Sequence, residues 1–189
     1  MKTEEAIKKR RSIRKFSNKI VKFGTILEII DAANQAPFAG NINNLKYIII
    51  ESLENKKYIG TFSQQHWTNE ASWIILICSE LKKLEALYDL RASKYSKQQA
   101  GAAIQNMLLK TTDLGLSACW VGAFADEEIK SHFKIPQNWS IEAIIPIGYA
   151  KNKEKKSVRK APLESKIFWE KWDEKYKPRK YPFKEPITK

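Results

Sequence analysis

The strongest constraint on how this chain can fold is one long helical stripe. From Gln98 to Gly115, the residues Ala100, Ala103, Ile104, Met107, Leu108, Thr111 and Leu114 recur three and four positions apart, which lines one face of a single helix without a break. Gly115 supplies its C-terminal stop. Gly101, Ala102 and Ala103 carry so little side chain that another helix can approach closely there. Two apolar runs, Tyr47-Ile48-Ile49-Ile50 and Trp73-Ile74-Ile75-Leu76-Ile77-Cys78, are short and rich in β-branched residues, as buried strands are. A second helix is predicted over 25–36, where Ile26, Ile29, Ile30 and Ala33 share a face and Pro37 ends the pattern. Further helices are expected over 54–65 and 81–97. A short one opens on Thr3 as N-cap, with Glu4 and Glu5 in its first turn.

Composition narrows the function classes. A chain of 189 residues suits one domain with a full-sized core, and 43% hydrophobic content with eight Phe, seven Tyr and six Trp is that of a globular protein. The apolar runs are strand-sized, well short of the about 20 residues that a membrane span needs. A charged N-terminus with no apolar block behind it makes the cytoplasm the default expectation. Cys78 and Cys119 sit in apolar surroundings and read as buried, reduced thiols. His66 and His132 lie far apart, and no CxxC, HExxH or paired-His spacing suggests a metal centre. The P-loop and GxGxxG patterns are absent as well, so P-loop nucleotide enzymes and Rossmann dehydrogenases are unsupported. No Ser-His-Asp or Cys-His set offers itself as catalytic machinery. The net charge of +13, much of it after Ala150, favours anionic ligands and leaves nucleic-acid binding as a weaker second reading.

Chemistry concentrates in three stretches. The first, Lys9-Arg10-Arg11-Ser12-Ile13-Arg14-Lys15-Phe16, is basic, and within it Arg10, Ser12 and Arg14 alternate. In an extended chain all three point to one side. Two guanidiniums and a hydroxyl then converge where phosphate oxygens can be held, with Ile13 and Phe16 as anchors to the core. In a Lys-rich chain such a run is otherwise a solvated face. The second, Pro37–Asn44, is turn-rich with amides at Asn41, Asn43 and Asn44. Amides offer donor and acceptor together, which suits an imide edge, although Asn is also an ordinary loop residue. The third, Ser117–Phe124, reads as a short apolar strand ending near Gly122, either a plain buried strand or a place where backbone approaches a ligand.

Taken in order, these stretches resemble the FMN-dependent nitroreductase family. The resemblance is carried by Arg10-Arg11-Ser12-Ile13-Arg14-x-Phe16 after a short helix, by the loop from Pro37 to Asn43, and by Ala103–Leu109 followed by Leu114-Gly115-Leu116. It continues in Trp120–Phe124, in Pro146-x-Gly148-Tyr149 and in Arg159-Lys160-Ala161-Pro162-Leu163-Glu164, so that it spans residues 3 to 165. Phe38, Asn44 and Leu45 depart from the Ser, Pro and Trp that the family loop usually carries.

The resemblance implies an α+β fold, nitroreductase-like, with a central, mostly antiparallel sheet enclosed by helices. It implies an intertwined homodimer with two FMN sites at its interface, residues 1–165 forming the FMN-binding domain and 166–189 a basic, Pro-containing C-terminal extension. It assigns Arg10, Arg11, Ser12, Arg14 and Arg159 to the FMN phosphate and ribityl chain. Pro37, Phe38, Ala39, Asn41 and Asn43 become flavin contacts, and Val121, Gly122 and Ala123 border flavin N5, with a backbone N–H of that stretch as donor. The implied activity is hydride transfer from NADH or NADPH through flavin N5 to a nitroaromatic, quinone or similar small acceptor, the cofactor and no protein group carrying the chemistry. The alternatives are a flavin protein of another activity, flavin fragmentation or reductive dehalogenation, and, further off, a basic nucleic-acid-binding module.

Overall fold

In chain order the elements are α1 (Thr3–Lys9), α2 (Phe23–Asn34), β1 (Leu45–Ile50), α3 (Leu53–Phe62), β2 (Trp73–Glu80), α4 (Lys82–Tyr88), α5 (Ala92–Asp113), β3 (Ser117–Ala118), α6 (Asp126–His132) and β4 (Trp139–Gly148). The structure, a computed structural model, describes residues 1–152 and 161–175. The chain divides into two units, Met1–Glu154 and Lys155–Lys189. All ten elements belong to the first; the described part of the second contains a short 3-10 turn, Leu163–Lys166.

The strands pair antiparallel throughout, in the order β1-β2-β4-β3. β2 is buried from Trp73 to Ser79 because both of its faces are covered. Ile75 and Ile77, with Ile145 and Ile147 of β4, pack against α2 and α5 in the larger core. Ile74 and Leu76 turn the other way and meet Ile59 of α3 and Ile129 of α6 in a second core. Each such isoleucine contributes about 2 kcal/mol when removed from water, so the continuous apolar run of β2 stabilises two layers at once. A bulge between Ile77 and Cys78 shifts the register on β4 from Ala143 to Ile141, leaving Glu142 as the extra residue. Its carboxylate accepts a hydrogen bond from the Ser79 hydroxyl at 2.5 Å.

The predicted stripe is the buried face of α5, where Ala100, Ala103, Ile104, Met107, Leu108 and Thr111 are all buried. The helix begins at Ala92, earlier than Gln98, because Ala92, Ser96 and Gln99 continue the same buried face in small and polar side chains. The helix expected over 81–97 is therefore divided. α4 ends at Tyr88, and Asp89, with φ of 47°, breaks the chain before α5. At α1, Lys2 and not Thr3 occupies the N-cap position. The apolar stretch 117–124 pairs as a strand over Ser117–Ala118, with a further bridge from Val121 to Ile144. Among the described residues no helix is long and apolar enough to cross a membrane, and no group of three or more His, Cys, Asp or Glu side chains could hold a metal ion.

Both cysteines are free and buried. Burial, aided by Glu142, pushes the Cys78 thiol up to about 11, and burial pushes the Tyr47 phenol up to about 12. The folded state holds both protons more tightly than the unfolded chain does, so this contribution is intact below the ordinary thiol value and is lost as pH rises through it toward about 11. Urea midpoints measured from pH 8 to 10.5 are expected to fall above about pH 9, and less steeply in Cys78→Val. A flat profile in the parent protein would show that the thiol reaches solvent.

Candidate functional site

The basic stretch leaves α1 through a local cap. Arg10 donates its N–H to Ala6 O at 2.9 Å, and the chain then turns extended. Arg11 folds back, its Nη1 donating to Lys8 O at 2.7 Å and to Arg10 O at 2.8 Å, which satisfies carbonyls that the helix end leaves open. Ser12 then pairs in parallel with Ala118, Ile13 N–H donating to Ala118 O at 3.1 Å. Phe16 pairs antiparallel with Ala150. Ile13 and Phe16 are buried with Ala71, the anchoring that the sequence suggests. The Phe16 ring lies over Gly148, where an added Cβ would stand 2.9 Å from Phe16 Cδ1.

Cys119 shows where the alternating side chains go. Its thiol is buried and donates to Trp120 O at 3.7 Å; burial pushes it up, while Arg14, the Ser12 hydroxyl and Arg10 pull it down. Ser12 is set beside Ala118, the neighbour of Cys119, and Arg10 and Arg14 lie on the same segment within electrostatic range of that thiol. Among the described residues neither guanidinium has an ion-pair or side-chain hydrogen-bond partner in the protein. Two uncommitted forks of donors beside a hydroxyl are a donor set that fits the phosphate of FMN. Arg11 and Ile13 also border open space. They line a separate open groove of about 610 Å³ with Lys9, Thr112, Tyr149 and Asn152. Arg11 thus differs from Arg10 and Arg14 in having local hydrogen-bond partners, Lys8 O and Arg10 O.

The loop after α2 is fixed by a buried polar network. Gln99 accepts from Ala39 N–H at 3.1 Å and donates to Ile42 O at 3.2 Å and to Asn44 Oδ1. Asn44 in turn donates to Ser96 Oγ at 2.8 Å and to Glu80 O at 2.9 Å. Gly40 and Asn41 both adopt φ of 57°, and at Gly40 an added Cβ would stand 2.9 Å from Tyr88 Oη. Phe38 packs on the larger core, Asn41 is exposed, and Asn43 is engaged locally, accepting from Leu45 N–H and donating to Asn34 Oδ1. Pro37 and Ala39 border a cavity of about 220 Å³ with Tyr95, Gln98, Gln99 and Ala102 of α5.

In the third stretch, Val121 exchanges both backbone hydrogen bonds with Ile144 at 3.0 Å, so its N–H is committed to the protein. Gly122 and Ala123 are exposed, and among the described residues their N–H groups have no backbone acceptor. The N–H groups of Trp120 and Phe124 likewise have no backbone acceptor among the described residues. Trp120 stands beside α5, its ring 3.9 Å from where a Cβ on Gly101 would lie. Arg159 falls outside the described residues. Gln99 and Ser96, and the burial of Asn44, leave no trace in the sequence because polar residues on a helix face and in a loop carry no local mark of burial.

The Nitroreductase family model matches residues 7–73 and 59–149. The chain belongs to the nitroreductase family. A protein of Archaeoglobus fulgidus with the provisional name NADH dehydrogenase/NAD(P)H nitroreductase is 30% identical to this family member over 148 residues, 76% of this chain and 82% of the relative. The crystal structure of a nitroreductase family protein from Clostridium novyi NT matches with a TM-score of 0.75 at 27% identity, covering 92% of this chain and 96% of the other. An FMN-dependent nitroreductase from Clostridium difficile gives a TM-score of 0.76 at 23% identity, covering 88% and 98%, a likeness of fold. The α+β architecture expected of a nitroreductase, an antiparallel sheet between helices, is the one this chain adopts.

Proposed function

We propose that this chain is an FMN-dependent oxidoreductase that takes reducing equivalents from NADH or NADPH and passes them to a small acceptor such as a nitroaromatic or a quinone. The observation that carries the reading is that, in a chain of the nitroreductase family, Arg10 and Arg14 flank Ser12 on one segment with no side-chain partner among the described residues. FMN, when bound, supplies the hydride chemistry, which no protein group here is placed to supply. Arg10 and Arg14 hold the phosphate as charge-assisted donors, and Ser12 adds a hydroxyl. The Gly122 and Ala123 N–H groups are donors available to orient the ring edge. The loop from Pro37 to Asn43 presents Pro37, Ala39 and Asn41 beside α5. Arg159 belongs to the proposal through the resemblance alone, and residues 166–189 would form a basic extension to the domain.

A homodimer is part of the same reading. The cavity beside Pro37 and Ala39 holds about 220 Å³, below the about 300–1,000 Å³ of small-molecule pockets. That deficit supports a site completed by a second copy, for which Gly101 and Ala102 on α5 leave room. The name of the Archaeoglobus relative supports NAD(P)H as donor, and that of the Clostridium difficile structure supports FMN.

The test is the visible spectrum of the purified protein, with identification of what it releases on denaturation. A yellow two-banded chromophore released as FMN and bleached by NADH or NADPH under nitrogen is the expected result. A colourless protein that takes up no FMN would overturn the reading. Acceptor screening on the holoprotein then separates quinone and nitroaromatic reduction from flavin fragmentation or dehalogenation.

A further inference from the structure

We propose that Glu70 is a positioning residue that holds the basic segment in the extended form that presents Arg10, Ser12 and Arg14 to the FMN phosphate; the proposal rests on the FMN reading above. Residues 12–17 lie along the edge of the sheet without belonging to a regular strand. Ile13 N–H donates to Ala118 O at 3.1 Å, Ser17 N–H to Tyr149 O at 2.8 Å, and Lys151 N–H returns to Lys15 O at 3.0 Å. The last two bonds flank Phe16 opposite Ala150, so the N–H of Phe16 itself points away from that neighbour. Phe16 is 3% exposed. A buried backbone donor without a partner is costly, so this one needs an acceptor from elsewhere in the fold.

Glu70 provides it, accepting from Phe16 N–H through Oε2 at 3.2 Å. It closes the short turn His66–Glu70, which also supplies Trp67, whose ring centroid lies 6.4 Å from that of Phe16. The Phe16 ring also meets Gly148, where the absence of a Cβ makes the seat. The ring is thus located by packing and the backbone by a carboxylate. Arg14 lies two residues away on the same extended segment, so a shift of the Phe16 backbone is passed to its guanidinium. Glu70 touches no ligand in this scheme. It acts through the segment that does.

The affinity ratio of FMN to riboflavin isolates the phosphate contribution, because the two ligands share everything else. Fluorescence titrations of the apoprotein are expected to show this ratio falling about tenfold in Glu70→Ala, with riboflavin affinity unchanged. Glu70→Gln keeps an acceptor oxygen and is expected to retain most of the ratio. Trypsin should cleave after Arg14 and Lys15 faster in Glu70→Ala than in the parent. If Glu70→Ala does not fold, Glu70→Asp withdraws the carboxylate by one methylene, and a partial fall in the ratio is the expected result. An unchanged ratio in the folded variant overturns the proposal alone. A parent protein with no affinity for FMN overturns the function reading and the proposal with it.

Discussion

Replacing Arg10 and Arg14 together with alanine is expected to weaken FMN binding about 10²-fold or more while riboflavin binding changes less than about threefold. The size follows from the chemistry. A hydrogen bond to a charged group is worth about 1.5–3 kcal/mol, and two of them lost together exceed the about 2.7 kcal/mol that a hundredfold change requires. Arg14 is exposed and Arg10 half-buried, so solvent screening holds the total toward the lower end of that range. The fold should not suffer. Neither guanidinium is engaged with the protein among the described residues, and removing two like charges from a small area relieves repulsion, so the melting temperature of the apoprotein should stay the same or rise slightly. Titration at low and high salt gives a second signature: the parent loses FMN affinity as salt rises, and the double variant loses much less. Equal weakening of FMN and riboflavin would place the phosphate elsewhere. The companion change Arg11→Ala should act differently, because Arg11 caps α1 and lines the other groove.

That contrast shows what the sequence can carry and what it cannot. The period-two geometry of an extended chain brings Arg10, Ser12 and Arg14 to one side, and the structure sets Ser12 of that segment beside Ala118. The same geometry assigns Arg11 to the opposite face; only the family resemblance groups it with the phosphate set. The stripe of α5 is legible because apolar residues at helical spacing have one stable destination, a core. The continuation of that face through Ala92, Ser96 and Gln99 is not, because hydrophobicity marks none of the three strongly. The buried strands are legible as apolar runs, whereas the bulge at Glu142 depends on pairing between strands distant in sequence. Gly148 is of the same kind. Its need to be glycine is set by Phe16, which arrives from the other end of the chain. Local physics gives the elements and the faces; contacts between remote segments decide which polar groups are engaged and which stay free for a ligand.

The Gln99 network is where that distinction has its largest effect on stability. Gln99, Asn44 and Ser96 are 4%, 6% and 1% exposed, so water cannot readily replace their partners. Gln99→Leu keeps much of the volume and removes every polar atom at once. Ala39 N–H and Ile42 O lose their partner in Gln99, and Asn44 Oδ1 loses its donor. With about 1–3 kcal/mol for each buried group left unsatisfied, and the loop groups able to turn partly toward solvent, the expected loss is about 3 kcal/mol. For a chain of this length that lowers the melting temperature by about 6–12 °C. Gln99→Glu separates lost hydrogen bonds from lost packing. Its carboxylate can still accept from Ala39 N–H, but as an anion it faces two acceptors, Ile42 O and Asn44 Oδ1. Burial raises its folded pKa above the unfolded value, so the unfolded chain gives up the proton first, and stability falls as pH rises through that window. Below it the protonated acid can donate to Asn44, and the variant should approach the parent near pH 5 while remaining well below it at pH 8. Gln99→Leu should be equally destabilised at both. The loop from Pro37 to Asn41 hangs on these bonds, so both variants should also bind FMN more weakly wherever they are unstable, with phosphate and ring contributions falling together. A loss below about 1 kcal/mol in Gln99→Leu would mean that the seat of Gly40 against Tyr88 holds the loop without help from the network.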